Sequence, residues 1–409
     1  MMRNQRRAAV VGGSIAGCAA AVALRRAGCL PEVYERSGSG LRDRGAGIAI
    51  PASLRDEAVA VGYIDAAMPV LPCRELVFTV RDGENPTGRV IGAQPFSAFY
   101  TNWGVLWREL RRRVPDEMYH PGTPVVGVGA DDEDAVIELE GRRERFDVVV
   151  GADGYRSMLR GRVDAEADLV DAGYILWRGD YPQDLLPDPR PRLLTDGGVM
   201  VGFPGGHGGF YMIPGLEGGG SRINWAVYGP APAGLRVEEP GSMPRGRVDD
   251  HMVADLERLL EWFPPYWAEV VRRTPRTELS IQLIYDVKVA AYASGRALLA
   301  GDAGALARPH TGAGAVKALQ DAMALEAACR TYDTWEDALA AYDAERRVAG
   351  NALTDLGRRL GRDRVLAAPD WAALTPEEFE EWWRSAATGA RRNPYSVDLP
   401  DPNRNEPGA

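Results

Sequence analysis

The first 35 residues constrain the fold more than any other stretch of the chain. An apolar segment, Ala8 to Val11, is followed by the turn GGSIAG and by CAAAVALRRAG, whose apolar residues recur at helical spacing. The next segment, PEVYER, has the character of a second strand. A strand, a glycine turn, a helix and a strand within about thirty residues form a βαβ unit, which requires a parallel sheet. The sequence therefore predicts a dinucleotide-binding domain at the N-terminus.

The residues of the GGSIAG turn are those that a bound pyrophosphate requires. Gly12 allows a sharp bend, Ser14 is small where the backbone approaches the phosphates, and Gly17 lets the helix pack closely on the strand. The amides of Ile15 and Ala16 fall in the first helical turn, where unpaired N–H groups favour an anion. A glycine turn without a nucleotide is the alternative interpretation.

Two charged residues end the second strand. Glu35 lies 18 residues beyond Gly17, where an acid can accept a hydrogen bond from an adenosine ribose. Arg36 beside it suits a 2′-phosphate. At this point FAD, NAD and NADP all remain open.

Composition limits the classes of partner. The 409 residues carry a net charge of −10, and acids and arginines are interspersed, so no nucleic-acid surface is expected. No run approaches the ~18 apolar residues of a membrane helix, and the four cysteines lack metal-ligand spacing. We therefore expect a cytoplasmic protein with no metal and no membrane partner.

Two further motifs lie downstream in the chain. GADGYRSMLR (151–160) and LLAGDAGALARPHTGAGAVKALQDA (298–322), together with GGSIAG, resemble the three fingerprints of class A flavin-dependent aromatic hydroxylases, the p-hydroxybenzoate hydroxylase superfamily. The segments RPHTGAGAVKA, YILWRG and GHGGFYMIPG are most similar to the 2,6-dihydroxypyridine hydroxylase branch. The resemblance implies an α/β fold with a Rossmann-like FAD-binding domain, a mixed antiparallel-sheet substrate domain and C-terminal helices.

The resemblance also implies domain boundaries. The FAD-binding domain comprises 1–73, 105–173 and 291–330, the substrate domain comprises the strands of 74–104 and the sheet of 174–290, C-terminal helices span 331–392, and 393–409 form a loose tail.

Further cofactor contacts follow from the resemblance. Asp302 is expected to bind a ribityl hydroxyl, with a helix or turn cap as the alternative. Backbone amides then face the isoalloxazine, because the Gly-Gln-Gly and nearby asparagine of many relatives are missing; they belong to Gly312, Ala313, Gly314 and Ala315. Arginines and an acid complete the set: Arg44, Arg108, Asp153 and Arg156. A solvated helix face is the alternative for Arg108, and a structural ion pair is the alternative for Asp153 with Arg156.

The substrate side is expected to be aromatic. Pro309 and His310 would lie beside the isoalloxazine as catalytic residues, where a prolyl carbonyl or imidazole accepts the proton of a substrate hydroxyl; a loop-holding histidine is the alternative. Tyr211 is the third catalytic candidate, and the substrate-binding candidates are Trp177, Arg178, Trp225 and Tyr228, although strand aromatics also serve as core. We expect His207, in GGHGG, to close a hairpin.

The resemblance implies an FAD-dependent monooxygenase that uses NADPH or NADH and O2 to hydroxylate an electron-rich aromatic or N-heteroaromatic molecule through a flavin C4a-hydroperoxide. A Baeyer–Villiger or epoxidising monooxygenase and a catalytically silent flavin-binding protein are the alternatives. A flavin halogenase is disfavoured, since INWAVY and YMIPG do not form its W-x-W-x-I-P motif. The expected state is a monomer or homodimer.

Overall fold

The computed structural model describes residues 6–39, 41, 46–216, 219–235 and 241–386. Arg44 and the predicted tail lie outside the described residues. The strands are β1 Arg7–Val11, β2 Leu30–Glu35, β3 Gly47–Pro51, β4 Leu71–Val80, β5 Arg89–Asn102, β6 Tyr119–Pro121, β7 Gly127–Ala130, β8 Ala135–Leu139, β9 Arg142–Phe146, β10 Val148–Gly151, β11 Val170–Pro182, β12 Gly197–Phe203, β13 Gly206–Pro214, β14 Ser221–Gly229, β15 Ser242–Met243, β16 Ser280–Asp286, β17 Ala293–Ser294 and β18 Ala297–Leu299. The α-helices are α1 Ile15–Arg26, α2 Ala52–Ala60, α3 Trp103–Arg111, α4 Met158–Val163, α5 Asp250–Leu260, α6 Pro265–Arg272, α7 Gly314–Thr331, α8 Trp335–Gly361 and α9 Pro376–Ala386.

The first sheet has six strands in the order β17-β18-β10-β1-β2-β6. All of its pairings are parallel except that of β17 with β18. Buried apolar residues fill the centre of β1 and β10, as expected for strands covered on both faces. Helix α1 packs against α7. This Rossmann-like arrangement brings the ends of β1, β10 and β18, where the three glycine motifs begin, to one edge of the sheet.

The second sheet has nine strands in the order β15-β16-β11-β14-β13-β12-β4-β5-β3. Its pairings are antiparallel except for β4 with β12, so the predicted mixed sheet is confirmed. Strand β3 pairs with β5 in this sheet, although the sequence analysis assigned residues 1–73 to the FAD-binding domain. That segment was missed because a five-residue strand has too little periodicity to indicate which sheet it joins.

The two faces of the nine-stranded sheet have different neighbours. Side chains of one face pack against α5 and α6 in a core that contains Trp177, Trp225, Phe210 and Trp267. Because strand side chains alternate, the residues one position along point away from these helices. That second face lies towards the glycine turns of the first sheet.

The remaining elements complete the two domains. Strands β7, β8 and β9 form a small antiparallel sheet. The long helix α8 packs on α7 and runs into a π-helical turn, Arg362–Leu366, while α9 packs on β5. Within the described ranges, no helix combines the length and apolar character needed to cross a bilayer.

We predict that Trp225→Phe destabilises the fold. Trp225 is fully buried and its Nε1 donates to Thr274 Oγ1 at 2.8 Å. The substitution removes that donor and leaves a small void, so we expect the free energy of unfolding to fall by about 1–3 kcal/mol. The urea midpoint measures this loss. Trp262→Phe is the matched control, since Trp262 is 54% exposed; an equal loss in both variants would contradict the assignment of Trp225 to the core.

Candidate active site

One cavity of about 430 Å³ lies between the glycine turns of the first sheet and the second face of the nine-stranded sheet. From the first sheet it is lined by Ser14, Ile15, Ala16, Ala152, Gly154, Gly301, Asp302 and residues 312–315. From the other side it is lined by Tyr100, Leu176, Arg178, His207, Tyr211, Tyr228, Pro309, His310 and Arg364, among others. Residues of all three fingerprints therefore meet the aromatic sheet at one cavity.

The first turn is held rigidly by the second strand and its neighbours. Gly12 has φ of +102°, and a Cβ there would lie 2.3 Å from the carbonyl oxygen of Ala152. The Gly13 N–H donates to Glu35 Oε2 and the Ser37 N–H to Oε1, both at 2.8 Å. Each carboxylate oxygen of Glu35 keeps a lone pair for another donor. Arg36, by contrast, is exposed.

The turn after β18 presents Asp302 to the cavity. Gly301 has φ of +61°, and a Cβ there would lie 2.6 Å from the Cβ of Ala16, so the two cofactor-side turns touch. Burial raises the pKa of Asp302, while nearby Lys317 and Arg160 act in the opposite direction. Arg160 donates to the carbonyl oxygens of Asp302 and Ala303. The Asp302 carboxylate therefore has two cations, Lys317 and Arg160, and one further acid, Asp321, near it at the cavity wall.

The N-terminus of α7 also opens on the cavity. Helix α7 begins at Gly314, and its N-cap residue Ala313 has no side chain that could bond the first amides. A Cβ on Gly314 would lie 3.8 Å from Asp302 Oδ1. The first N–H groups of an uncapped helix favour negative charge on a ligand.

His310 lies in a buried aromatic cluster on the opposite side. Its Nε2 is 2.7 Å from the hydroxyl of Tyr174, and its ring centroid is 4.1 Å from that of Tyr228 and 5.2 Å from that of His207. Burial, followed by the charges of His207, Arg364 and Arg308, holds the pKa of His310 well below its ordinary value. At neutral pH this imidazole is uncharged and a weak base.

The hydrogen bonds around His310 favour one tautomer. The Arg308 guanidinium lies over the Tyr174 ring, 5.7 Å from its centroid, and pairs with Asp286 at 2.8 Å. Burial raises the pKa of Tyr174, so its hydroxyl stays protonated and can donate to His310 Nε2. The imidazole proton then lies on Nδ1, which is buried and has no hydrogen-bond partner within the described ranges. His310 lines the cavity, while this nitrogen itself is buried beneath the cavity surface.

Strand alternation separates the predicted substrate residues into two groups. Arg178, Tyr211 and Tyr228 line the cavity. Trp177 and Trp225 do not: both are fully buried on the other face of the sheet, against α5 and α6. The prediction that these tryptophans bind substrate is wrong, because each lies one residue out of phase with the cavity-lining positions of its strand.

Three predicted polar residues lie outside the cavity wall. Arg108 donates to the carbonyl of Leu216. Asp153 Oδ2 accepts the Met158 N–H at 2.8 Å, which places it at the start of α4, and burial raises its pKa. Arg156 is exposed beside Tyr155. The structure therefore brings none of these three side chains to the cavity.

Several residues of the site were not found from the sequence. His207 lies in the second residue pair beyond the β12–β13 turn, opposite Gly202, and it also lines the cavity, which was not predicted. Tyr174 was missed, although it lies on β11 four residues before Arg178 and alternation predicts the same face of the strand for both. Arg364 enters from the π-helical turn after α8, and no motif marks it. Within the described part of the chain, no His, Cys, Asp and Glu group forms a metal site.

The buried histidines predict a pH dependence of stability. Burial, with Arg364 adding to it, lowers the pKa of His207 to about 3, against about 6.5 in an unfolded chain. Below about pH 6.5 the unfolded state binds a proton that the folded state excludes. The free energy of unfolding therefore falls with falling pH, by up to about 1.4 kcal/mol per pH unit for each such histidine.

We expect His207→Gln to flatten this decline between about pH 7 and pH 5, as measured by urea midpoints. His251→Gln, at an exposed position on α5, is the control. Comparing the two variants cancels the titration of carboxylates, and an unchanged slope in His207→Gln would contradict the burial of a neutral imidazole.

The cofactor half of the cavity fits FAD by its own features. At Gly12 a Cβ would fill the space where the backbone has to approach a pyrophosphate. The N-termini of α1 and α7 have no side-chain cap for their first amides, and Asp302 lies where a polyol could hydrogen-bond to it.

Comparisons with known proteins agree with this geometry. A scan against protein-family models finds no match. The chain is 29% identical to 2,6-dihydroxypyridine 3-monooxygenase of Paenarthrobacter nicotinovorans over 78% of this chain and 81% of that protein. It is 27% identical to an FAD-dependent urate hydroxylase of Klebsiella pneumoniae over 83% of this chain and 85% of that protein. The solved 2,6-dihydroxypyridine-3-hydroxylase from Arthrobacter nicotinovorans superposes with a TM-score of 0.80 at 26% identity, covering 91% of this chain and 96% of that one.

These similarities extend over most of the chain and include both halves of the cavity. They favour the hydroxylase prediction over the Baeyer–Villiger, epoxidising and catalytically silent alternatives. The predicted resemblance to the class A flavin-dependent aromatic hydroxylases, the p-hydroxybenzoate hydroxylase superfamily, is confirmed by these similarities in sequence and fold.

Proposed function

We propose that the chain uses NADPH or NADH, FAD and O2 to hydroxylate an electron-rich, hydroxylated N-heteroaromatic or phenolic ring that binds as its oxyanion. The observation that carries the proposal is the single cavity shared by Asp302, the N-terminus of α7 and the His310 cluster. The names of two relatives, which act on a dihydroxypyridine and on urate, support a nitrogen heterocycle.

The cofactor would be held mostly by backbone groups. Residues 12–17 would bind the pyrophosphate, Glu35 the adenosine ribose and Asp302 the ribityl chain, while residues 312–315 would face the isoalloxazine. Bound FAD supplies the activation of O2 and the transfer of one oxygen atom to the ring. For Arg36, Arg44, Arg108 and Asp153, a cofactor role remains a proposal that rests on the family resemblance.

The substrate end of the cavity favours a negative charge. Arg178 and Arg364 contribute cations there, and Asp302 lies at the cofactor end. Because the pKa of His310 is well below its ordinary value, the imidazole is a poor acceptor for a full proton from a phenol-like hydroxyl. We therefore assign His310 as a hydrogen-bond donor to a substrate oxygen that has already lost its proton. An oxyanion makes the ring a better nucleophile.

Pro309 and Tyr211 would position the ring. The Pro309 carbonyl already accepts the Gly312 N–H at 2.9 Å, and its second lone pair would accept from a second hydroxyl or a ring N–H. The Tyr211 ring stacks on Tyr100 with centroids 4.3 Å apart, and its hydroxyl donates to the carbonyl of Gly47 at 2.9 Å, so it presents a fixed aromatic surface. Such a wall suits a planar substrate and excludes water.

The absorbance spectrum of the purified protein is the first test, followed by NADH and NADPH oxidation with hydroxylated pyridines, phenols and indoles. We expect flavin bands, and oxidation with an oxygenated product for one class of ring. The rate should rise with pH through the pKa of the substrate hydroxyl, because the oxyanion binds. A yellow protein that no ring stimulates would indicate a catalytically silent flavoprotein, and a protein that cannot retain FAD would contradict the proposal.

We predict that His310→Gln slows hydroxylation more than flavin reduction. Loss of one hydrogen bond to a charged oxygen corresponds to about a 10- to 100-fold lower rate of oxygen transfer, while reduction by the nicotinamide should stay within about threefold, because the bond is to the substrate. Stopped-flow absorbance separates the two half-reactions. Tyr174→Phe removes the hydroxyl that bonds His310 Nε2 and should slow oxygen transfer by a smaller factor. His251→Gln is the control. Equal losses in both half-reactions would make His310 a loop-holding residue only.

A further inference from the structure

Two basic side chains and one acid form a buried charged cluster directly beneath the Gly301 turn. Asp321 Oδ2 accepts the Gly301 N–H at 2.8 Å and Lys317 Nζ at 2.7 Å, and Arg346 Nε bonds Asp321 Oδ1 at 2.7 Å. Lys317 Nζ also donates to the Gly301 carbonyl at 2.7 Å. Both backbone polar groups of Gly301 are therefore held by side chains of α7.

The burial of this cluster is nearly complete. The exposed fractions are 2% for Lys317, none for Asp321 and 1% for Arg346. Charges removed from water in this way are costly unless they are fully paired. The three buried side chains carry one more positive than negative charge, which the half-exposed Glu345 offsets only from the far side of Arg346, at 3.4 Å.

Asp302 is the adjacent anion. It follows Gly301 in the chain, and Lys317 contributes the largest of the influences that lower its pKa against the effect of burial. Lys317 is not one of the described residues that line the cavity, whereas Asp302 is. Lys317 therefore contacts the cavity wall from behind, through its hydrogen bond to the Gly301 carbonyl.

We propose that Lys317 is a positioning residue for FAD, which holds the Gly301–Asp302 turn in place and keeps the Asp302 carboxylate ionised to accept a ribityl hydroxyl. This inference rests on the proposed function, in which Asp302 binds the ribityl chain.

A double-mutant cycle tests this role. FAD release is followed by the recovery of flavin fluorescence on dilution of the holoenzyme, for the wild type, Lys317→Met, Asp302→Asn and the double variant. We expect Lys317→Met to raise the Kd for FAD about 10- to 100-fold in the wild-type background. In the Asp302→Asn background the same change should cost less than about threefold, because the charge that Lys317 supports has been removed.

The control is Lys288→Met. Lys288 is the other lysine of the chain, and its side chain is 37% exposed and pairs with Asp355 at 2.8 Å. We expect the Kd for FAD to stay within about twofold of the wild type. Lys317→Gln covers the case in which Lys317→Met does not fold, since it keeps a donor for the Gly301 carbonyl but lacks the charge. It should still raise the Kd at least about fivefold.

The outcomes separate this inference from the proposed function. Equal, additive losses for Lys317→Met in both backgrounds, or wild-type FAD retention in Lys317→Gln, would overturn the role of Lys317 in an otherwise intact flavoprotein. A wild-type protein that binds no FAD would instead overturn the proposed function and, with it, this inference.

Discussion

The close approach of three backbone turns, after β1, β10 and β18, is the constraint on which the site depends. Gly12 can carry no Cβ because the Ala152 carbonyl would lie 2.3 Å away, and Gly301 can carry none because Ala16 is in contact. Side chains at these positions would separate β1 from β10 and α1 from β18. The contact brings the ends of three parallel strands to one edge, where the amides of α1 and α7 both face a single cavity.

The same edge concentrates buried charge. Asp302 faces the cavity, and the paired side chains of Lys317, Asp321 and Arg346 lie beneath it with their polar groups bonded to Gly301 or to one another. On the opposite side, His207 and His310 are held neutral by burial and by nearby arginines. The cavity therefore has an acidic side chain at its cofactor end and a cationic, hydrogen-bond-donating environment at its substrate end. A single planar anion fits that polarity.

Much of the fold and the cofactor half of the site could be predicted from the sequence. Two signals are local in the sequence: the βαβ pattern with GGSIAG and Glu35, and the apolar strand that ends just before Asp302. The structure places Ser14 to Ala16 and Asp302 on the cavity wall. The substrate half was predicted less well. Tyr211, Tyr228 and Arg178 line the cavity, but Trp177 and Trp225 belong to the core, because an alternating strand does not reveal which of its two faces meets helices α5 and α6.

The sequence by itself therefore determined the parallel sheet, the glycine turns and the acid at each strand exit, since these depend on neighbours within a few residues. Only the tertiary structure decided that Tyr174, His207, His310 and Arg364, which are far apart in the chain, share one cluster. It also decided that both of these histidines are neutral and that Lys317 is buried. Desolvation and pairing are set by groups that come together only when the domains pack, so no local pattern encodes them.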